Sequence, residues 1–463
     1  MNVCQLIVIG MGVWTVGTLW AIEPCRVEVV ERGSGWPVPL VELQTTHALR
    51  FVTDNAGIIA LDAPELMGRE VWFTIHGHGY GVKKDGFGYA GMKLTPEPGK
   101  RIRVEVERTI IARRLGRLTG GGIFAESQKC GERLAWRESG DFGCDTVQTA
   151  VYGGRVYWVW GDTTMPHYPL GIFDALGATS PLPPFPRLEP PIEPPFTHFR
   201  NGKGILRPVA KALKTAGPTW IFGTVTLRDE TGRERLCASY TNIRPRLTPT
   251  AVGQCVWNDR TERFELLQEL WRRPEGEQGP PPRFTDGHPV FWKDGEGKRW
   301  LLFGDPFPRL KCPATFEGWK DRERWEMLTP QREVPSLDGS RQVKPHTGSI
   351  VWSGFRKRWV TVFMEKGGTP SNLGELWYAE ADSPFGPWKG AVKILSHDNY
   401  TFYNPLIHTE GRDPDSPILL FEGTYTQSFA NRPHPTPRYD YTQILYRLDL
   451  DDPRLTTQPR RGE

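Results

Sequence analysis

Two aspartates frame the most informative stretch of the chain: Asp145 and Asp162, within Cys144–Thr164 (CDTVQTAVYGGRVYWVWGDTT). Val, Tyr, Trp and Thr fill both arms of this segment. Gly153-Gly154 lies between them as a two-residue turn that accepts positive φ, so the spacing predicts a β-hairpin. A turn that tight sets Tyr152 opposite Arg155. Carried back along the arms, the same register sets Asp145 opposite Asp162. Directly opposed residues have Cβ atoms about 4.5–5.5 Å apart, where like charges repel. Repulsion of this kind raises one carboxyl pKa and keeps an acid beside an ionised partner. One group that gives a proton and one that attacks, or activates water, are what cleavage of a glycosidic bond requires. The reading makes Asp145 the nucleophile or base and Asp162 the acid. The competing reading is that each aspartate caps a turn.

The hairpin recurs. Asp286 to Asp305 repeats it down to the terminal Gly-Asp, and His346 to Glu365 repeats it again. A further copy runs from Asn404 to Glu422, and a weaker one joins Thr219-Trp-Ile-Phe to Leu236–Tyr240. Starts near 145, 219, 286, 346 and 404 leave room for a four-stranded unit in each interval. Repeats of this length predict blades around a channel: an all-β, five-bladed β-propeller over residues 137–450. Equivalent positions then converge on one channel mouth. Asp145, Asp162, Asp286 and Glu365 are the catalytic candidates. Trp160, Thr163, His288, Asp305, His346, Tyr403, Asn404 and Glu422 are candidates for binding substrate. Trp158, Tyr168, Trp220 and Trp292 are further aromatic platforms, although large aromatics in β-proteins mostly fill cores.

Ahead of the repeats, period-two segments such as Arg26–Arg32, Val71–His76 and Arg101–Arg108 predict a small β-sandwich over 26–109. A basic, Gly-rich linker follows over 110–136, and 451–463 is a polar tail. Leu6–Ile22 is apolar and uncharged; it reads as a signal peptide or uncleaved anchor, with a buried strand as the alternative, and points to a secreted or periplasmic protein. The 463 residues carry 58 basic and 54 acidic side chains, a net charge of +4, so no nucleic-acid footprint is expected. Seven cysteines name no disulfide framework and show no paired zinc spacing; Cys130–Cys144 and Cys237–Cys255 are local pairings to weigh against free thiols. No metal ligand set is expected.

The motif Asp145-Thr followed by Tyr157-Trp-Val-Trp-Gly-Asp162-Thr resembles the first-blade signature of the endo-D-arabinanase propellers (glycoside hydrolase family 183). Leu376-Trp-Tyr-Ala-Glu-Ala-Asp-Ser-Pro-Phe-Gly-Pro-Trp388 is similar to a strand and turn of the family 43 arabinosidases and xylosidases. The Thr53–Gly57 turn and His78-Gly-Tyr80 resemble the carboxypeptidase-regulatory, prealbumin-like sandwiches. These resemblances imply a glycoside hydrolase acting on a plant, algal or bacterial poly- or oligosaccharide, with the two first-blade aspartates as catalytic pair. They imply no organic cofactor and leave room for Ca²⁺ in the channel. The chain departs from family 43 in offering no clear second-blade Asp and no third-blade Glu motif. Two other functions fit the same pattern: a sugar-binding propeller without catalysis, and a glycoside phosphorylase using Arg200, Lys203, Arg207 and Lys344 for phosphate.

Overall fold

The computed structural model describes residues 22–456 except 121–122, 137, 212, 214–216, 245, 432–435 and 437–438, and the side chain of residue 170. Residues 1–21, which hold all of the apolar leader but Ile22, and the last seven residues of the tail lie outside the described residues. Strands dominate. Among the described residues the α-helices are Ala125–Lys129 and Phe316–Lys320.

Residues 25–108 build two four-stranded sheets. One orders Ile58–Leu61, Cys25–Glu31, Arg101–Arg108 and Tyr80–Gly81; the other orders Arg50–Val52, Glu42–Thr45, Val71–His76 and Gly91–Leu94. Asp54 holds the Thr53–Gly57 turn, its carboxylate accepting from the Ala56, Ile58 and Ser127 amides. The apolar faces are not sealed off from the rest. Val27, Leu43 and Phe73 share one core with Val360, Tyr378, Phe402 and Tyr446 further along the chain.

Five further sheets follow in sequence. The first comprises Val147–Tyr152, Arg155–Trp160, Ala175–Ser180 and Thr197–His198, with Pro208–Ala210 on the other end of its third strand. The second is Thr219–Arg228, Glu234–Arg244, Thr248–Asn258 and Arg263–Arg272; the third is Val290–Lys293, Arg299–Gly304, Pro308–Pro313 and Glu326–Met327. The fourth is Pro345–Ser353, Arg358–Glu365, Leu376–Ala381 and Lys389–Leu395. The fifth is Thr401–His408, Ile418–Thr426 and Thr442–Asp449, completed by Arg113–Arg117. Residues 113–117 were expected in a linker. They are a strand because Leu115 fills an inter-sheet core and the backbone pairs with Thr442–Asp449.

Hydrogen bonds tie each sheet to the next and the last to the first. Trp220 Nε1 donates to Asp162 (2.9 Å), Gly223 N to Gly287 O (3.1 Å) and Gly348 N to Asp305 (2.6 Å). Asn404 N then donates to Thr347 Oγ1 (3.2 Å), and Asn404 Nδ2 to Thr146 Oγ1 (2.8 Å). The first strands of all five sheets line one cavity of about 700 Å³. A closed ring of antiparallel sheets around an axial cavity is the β-propeller arrangement.

A bulge breaks the start of the first strand in the second, fourth and fifth sheets. Gly223 and Asn404, at two of these bulges, have positive φ (59 and 52°), as do Thr146 and Gly287 just ahead of the first strands of the first and third sheets (42 and 76°). The bulges correct two hairpin alignments. In the second sheet the bulged residue is Gly223, four residues beyond Thr219; in the fifth, the second strand runs on to Thr426, so Glu422 lies mid-strand.

Candidate functional site

The first hairpin folds on the expected register: Tyr152 pairs with Arg155, Val147 with Trp160 and Cys144 with Thr163. Gly153 and Gly154 turn it with φ of 55 and 75°. Asp145 and Asp162 therefore stand opposite one another, and Asp145 N donates to Asp162 O at 3.0 Å. At this point the hairpin leaves the first sheet and continues into a small one, Gly143–Cys144, Thr163–Met165 and Tyr168–Ile172. Gly161 makes the approach possible. A Cβ there would lie 2.3 Å from Asp145 Oδ1.

The two carboxyls differ in their partners. Tyr403 Oη donates to Asp145 Oδ2 (2.8 Å), and the Tyr441 hydroxyl bonds the same carboxylate. Burial raises Asp145 to about 6, with the two hydroxyls pulling the other way. Asp162, 8% exposed, keeps one charge-stabilising donor, Trp220 Nε1. Burial, then the charge of Asp145, push it to about 7. Asp174, itself raised by burial and bonded to the Thr219 amide, adds to that shift.

The third sheet carries a second pair. Asp286 meets Arg309 Nη2 at 3.0 Å and is raised by burial despite that charge. Asp305 accepts from Gly348 N, and burial raises it to about 7. His346 is exposed at the start of the fourth sheet.

Other candidates are taken up by the frame. Trp160 is 1% exposed, stacked on His198 (5.6 Å) and Trp158 (6.1 Å), so no sugar reaches its face. Thr163 is fully buried and donates to Gly161 O. Asn404 is spent on ring closure. Glu365, expected at the mouth, is buried under Arg341 and accepts from Trp377 Nε1 (2.9 Å), beside a separate cavity of about 550 Å³ lined by Arg341, Trp377 and Lys393. Glu422 is fully buried and pairs with His408 Nε2 (2.9 Å); His408 Nδ1 meets Glu410 (3.3 Å), which also accepts from Thr149. Burial alone would lower His408, but its bonds to Glu410 and Glu422 push it to about 9. His288 lines the axial cavity, and burial together with the nearby His408 lowers it to about 4.

Tyr441 and Asp174 were not anticipated. Neither carries a repeat signature, since each reaches the pair from a loop bordering its sheet. Trp220, an aromatic platform candidate, and Tyr403, a substrate-binding candidate, each hydrogen-bond one of the two carboxylates.

No group of three or more His, Cys, Asp or Glu side chains among the described residues is spaced to hold a metal. Two acids line the axial cavity, Glu410, engaged by Thr149 and His408, and Glu234, paired with Arg228, whereas Ca²⁺ takes roughly six to eight oxygens. The lining does not fit that ion. The six described cysteines are free thiols. Cys237 and Cys255 sit on adjacent strands one register step apart, which turns them to opposite faces.

No protein-family model matches the chain, and no curated protein does. Among solved structures it is similar to an exo-1,5-α-L-arabinanase from a bovine ruminal metagenomic library (12% identity, 66% of this chain and 93% of that one, TM-score 0.37). It is also similar to an exo-β-1,3-galactanase from Phanerochaete chrysosporium (9%, 67% and 62%, 0.37). A third likeness is to a GH43_1 enzyme from Xanthomonas citri complexed with xylose (10%, 66% and 86%, 0.34). At these TM-scores the overlap is partial, and only the chain's own geometry bears on its chemistry.

Proposed function

We propose that this chain is a glycoside hydrolase that cleaves a poly- or oligosaccharide with Asp145 and Asp162 as its working carboxyls. The observation that carries the reading is the asymmetry of that facing pair. Asp145, with two tyrosine hydroxyls on it, ionises first and serves as nucleophile or base. Asp162 holds its proton to higher pH and gives it to the leaving oxygen. In this reading the five sheets are blades of one propeller, residues 26–109 are a carboxypeptidase-regulatory-like module packed against it, and residues 1–22 direct export to the periplasm or exterior. A second reading takes the proton from the third sheet, because Asp305 is as strongly raised as Asp162 and Asp286 sits beside it.

The test is a screen of aryl glycosides and polysaccharides for reducing-end release, repeated with Asp145→Asn, Asp162→Asn and Asp305→Asn. Loss in the first two with activity kept in the third supports the first-sheet pair. Loss confined to Asp305→Asn moves the acid to the third sheet. Phosphorolysis is not favoured: Arg200 is bonded to Ser139 O and Gly204 O, and Arg207 to Glu262, so the candidate cations do not converge.

A further inference from the structure

The axial cavity of about 700 Å³ does not belong to the carboxyl pair: none of Asp145, Asp162, Asp286 and Asp305 lines it. The first strands run along it from the carboxyl end, and their burial changes on the way. Near that end Gln148, Thr224, Ser349 and Leu406 are buried. At the far end Val151, Phe291 and Trp352 are 37, 44 and 43% exposed. The cavity therefore opens on the face that holds the hairpin turns, opposite Asp145 and Asp162.

Its rim is apolar and built on strands. Val151 pairs with Val156, Phe291 with Leu301 and Trp352 with Trp359, so none of the three is on a loop free to fold it away. Trp352 meets Trp359 edge-on at 6.0 Å and also borders a further cavity of about 120 Å³. Single exposed apolar side chains are ordinary on a protein surface, but three around one opening mark a binding surface.

The groups along the wall select the class of ligand. Gln148 Oε1 accepts from the Thr224 amide (3.4 Å), but its Nε2 bonds to no other described residue, and neither ring nitrogen of His288 does. The acids on the wall are already matched, Glu410 by Thr149 and His408 and Glu234 by Arg228 (2.8 Å), so a cation finds no free carboxylate. An anion finds no free charge at depth, because burial and the nearby His408 hold the His288 ring down at about 4. An apolar side chain pushed in from the rim would bury the Gln148 amide and the His288 ring unpaired, a cost that water in the cavity avoids. A neutral polyhydroxylated ring meets all of these conditions. Its flat C–H face suits Trp352 and Phe291, and its hydroxyls both donate and accept. The volume lies within the roughly 300–1,000 Å³ of small-ligand pockets.

We propose that the face of the ring opposite the carboxyl pair is a separate carbohydrate-binding site, which takes a neutral sugar unit with Trp352 and Phe291 at the rim and Gln148 and His288 at depth. The site makes no use of Asp145 or Asp162 and so stands apart from the glycosidase reading. Where that reading holds, it retains a polymer by a unit remote from the bond being cut.

The experiment is affinity electrophoresis of the full chain, carrying Asp162→Asn so that the polymer survives. The gels contain arabinan, galactan, xylan or mixed-linkage β-glucan, with polygalacturonate as the anionic comparison. The expected result is retardation in at least one neutral polymer, reversed by free oligosaccharides of that polymer. Adding Trp352→Ala should weaken the apparent affinity about ten-fold, since two sites on one chain hold a polymer jointly. Trp352→Tyr keeps an aromatic face and should stay within a few-fold of the parent. Thermal melts check that each variant is folded; if Trp352→Ala is not, Phe291→Ala, cut from a half-exposed ring, carries the same expectation. Trp352-dependent retardation with no hydrolysis by the parent chain keeps this site and removes the glycosidase. Unchanged retardation in the folded variants, retardation in polygalacturonate alone, or none in any gel overturns the proposal. So does a dimer that Trp352→Ala converts to monomer by light scattering while retardation is unaffected, which would make this face an interface between copies.

Discussion

Asp145 and Asp162 differ by the hydroxyls they are given, and that difference can be measured. Replacing Tyr403 with Phe removes a donor that favours the ionised form of Asp145, so its pKa should climb above about 6 and carry the acidic limb of kcat/KM upward. The alkaline limb, set by Asp162 near 7, should hold its place. Asp162→Asn should cost roughly 10²–10⁴-fold in turnover, the usual reach of a positioned acid. Its effect on stability has the opposite sign. Both carboxyls titrate above the ~3.9 of an unfolded Asp, so the stability they contribute is complete below about pH 4 and is lost as pH rises through 6 and 7. The Asn variant escapes that loss. Thermal melts should place it above the parent at pH 8, with the gap closing at pH 5; a variant that melts lower at both pH values would mark Asp162 as a turn cap.

The first hairpin was legible because its information is local: a Gly-Gly turn fixes the register, and the register fixes which side chains meet. Positions in the later hairpins were not. A bulge adds one residue to one strand without disturbing the alternation that identifies a strand, so Glu422 and Thr219 slid out of alignment. Which acids point inward was equally hidden, since Glu365 turns on Arg341 and Trp377, one before and one after its own hairpin. The bulges have their own price in backbone geometry. Gly223 holds φ of 59°, and a Cβ there would sit 2.3 Å from Thr285 O. Gly223→Ala should lose about 2–3 kcal/mol from combined strain and clash. Gly154→Ala, where φ is 75° but the space is open, should lose about 1 kcal/mol. Denaturant titration of the two variants separates the effects. Inside the ring, His408→Gln removes a cation between two buried acids and should cost about 3–5 kcal/mol at neutral pH. Since folding raises His408 to about 9, the parent's own advantage fades as pH rises through that value.

Sandwich and ring hold one another more tightly than a linker between domains would allow. Arg114 is buried on the strand that completes the fifth sheet, and its guanidinium reaches Tyr446 Oη (3.1 Å) in the ring and Pro39 O (3.0 Å) in the sandwich. Tyr439 and Tyr425 likewise reach Thr53 and His78. A chain beginning at residue 110 keeps the closing strand but strands this guanidinium and bares the shared core. It should melt well below the full chain, and one beginning at residue 118 should show no cooperative transition by calorimetry. Equal melting of the 110 variant and the full chain would mean that the sandwich is an independent passenger.

The closing strand also sets an order in time. Residues 113–117 leave the ribosome early, yet their partner is Thr442–Asp449; the Arg114–Tyr446 bond spans 332 residues. Until the last strand arrives, the early one is an unpaired strand beside an open ring, the kind of template on which chains pair wrongly with one another. The first four sheets can form from neighbours in sequence, but the ring becomes one cooperative object only once Thr442–Asp449 has been made, through its most distant contact. Loss of a few residues from the Thr442–Asp449 strand would therefore harm the yield of folded protein far more than the loss of a comparable strand elsewhere. The site would fail with it, because Tyr441, one of the two hydroxyls on Asp145, is the residue that leads into that strand.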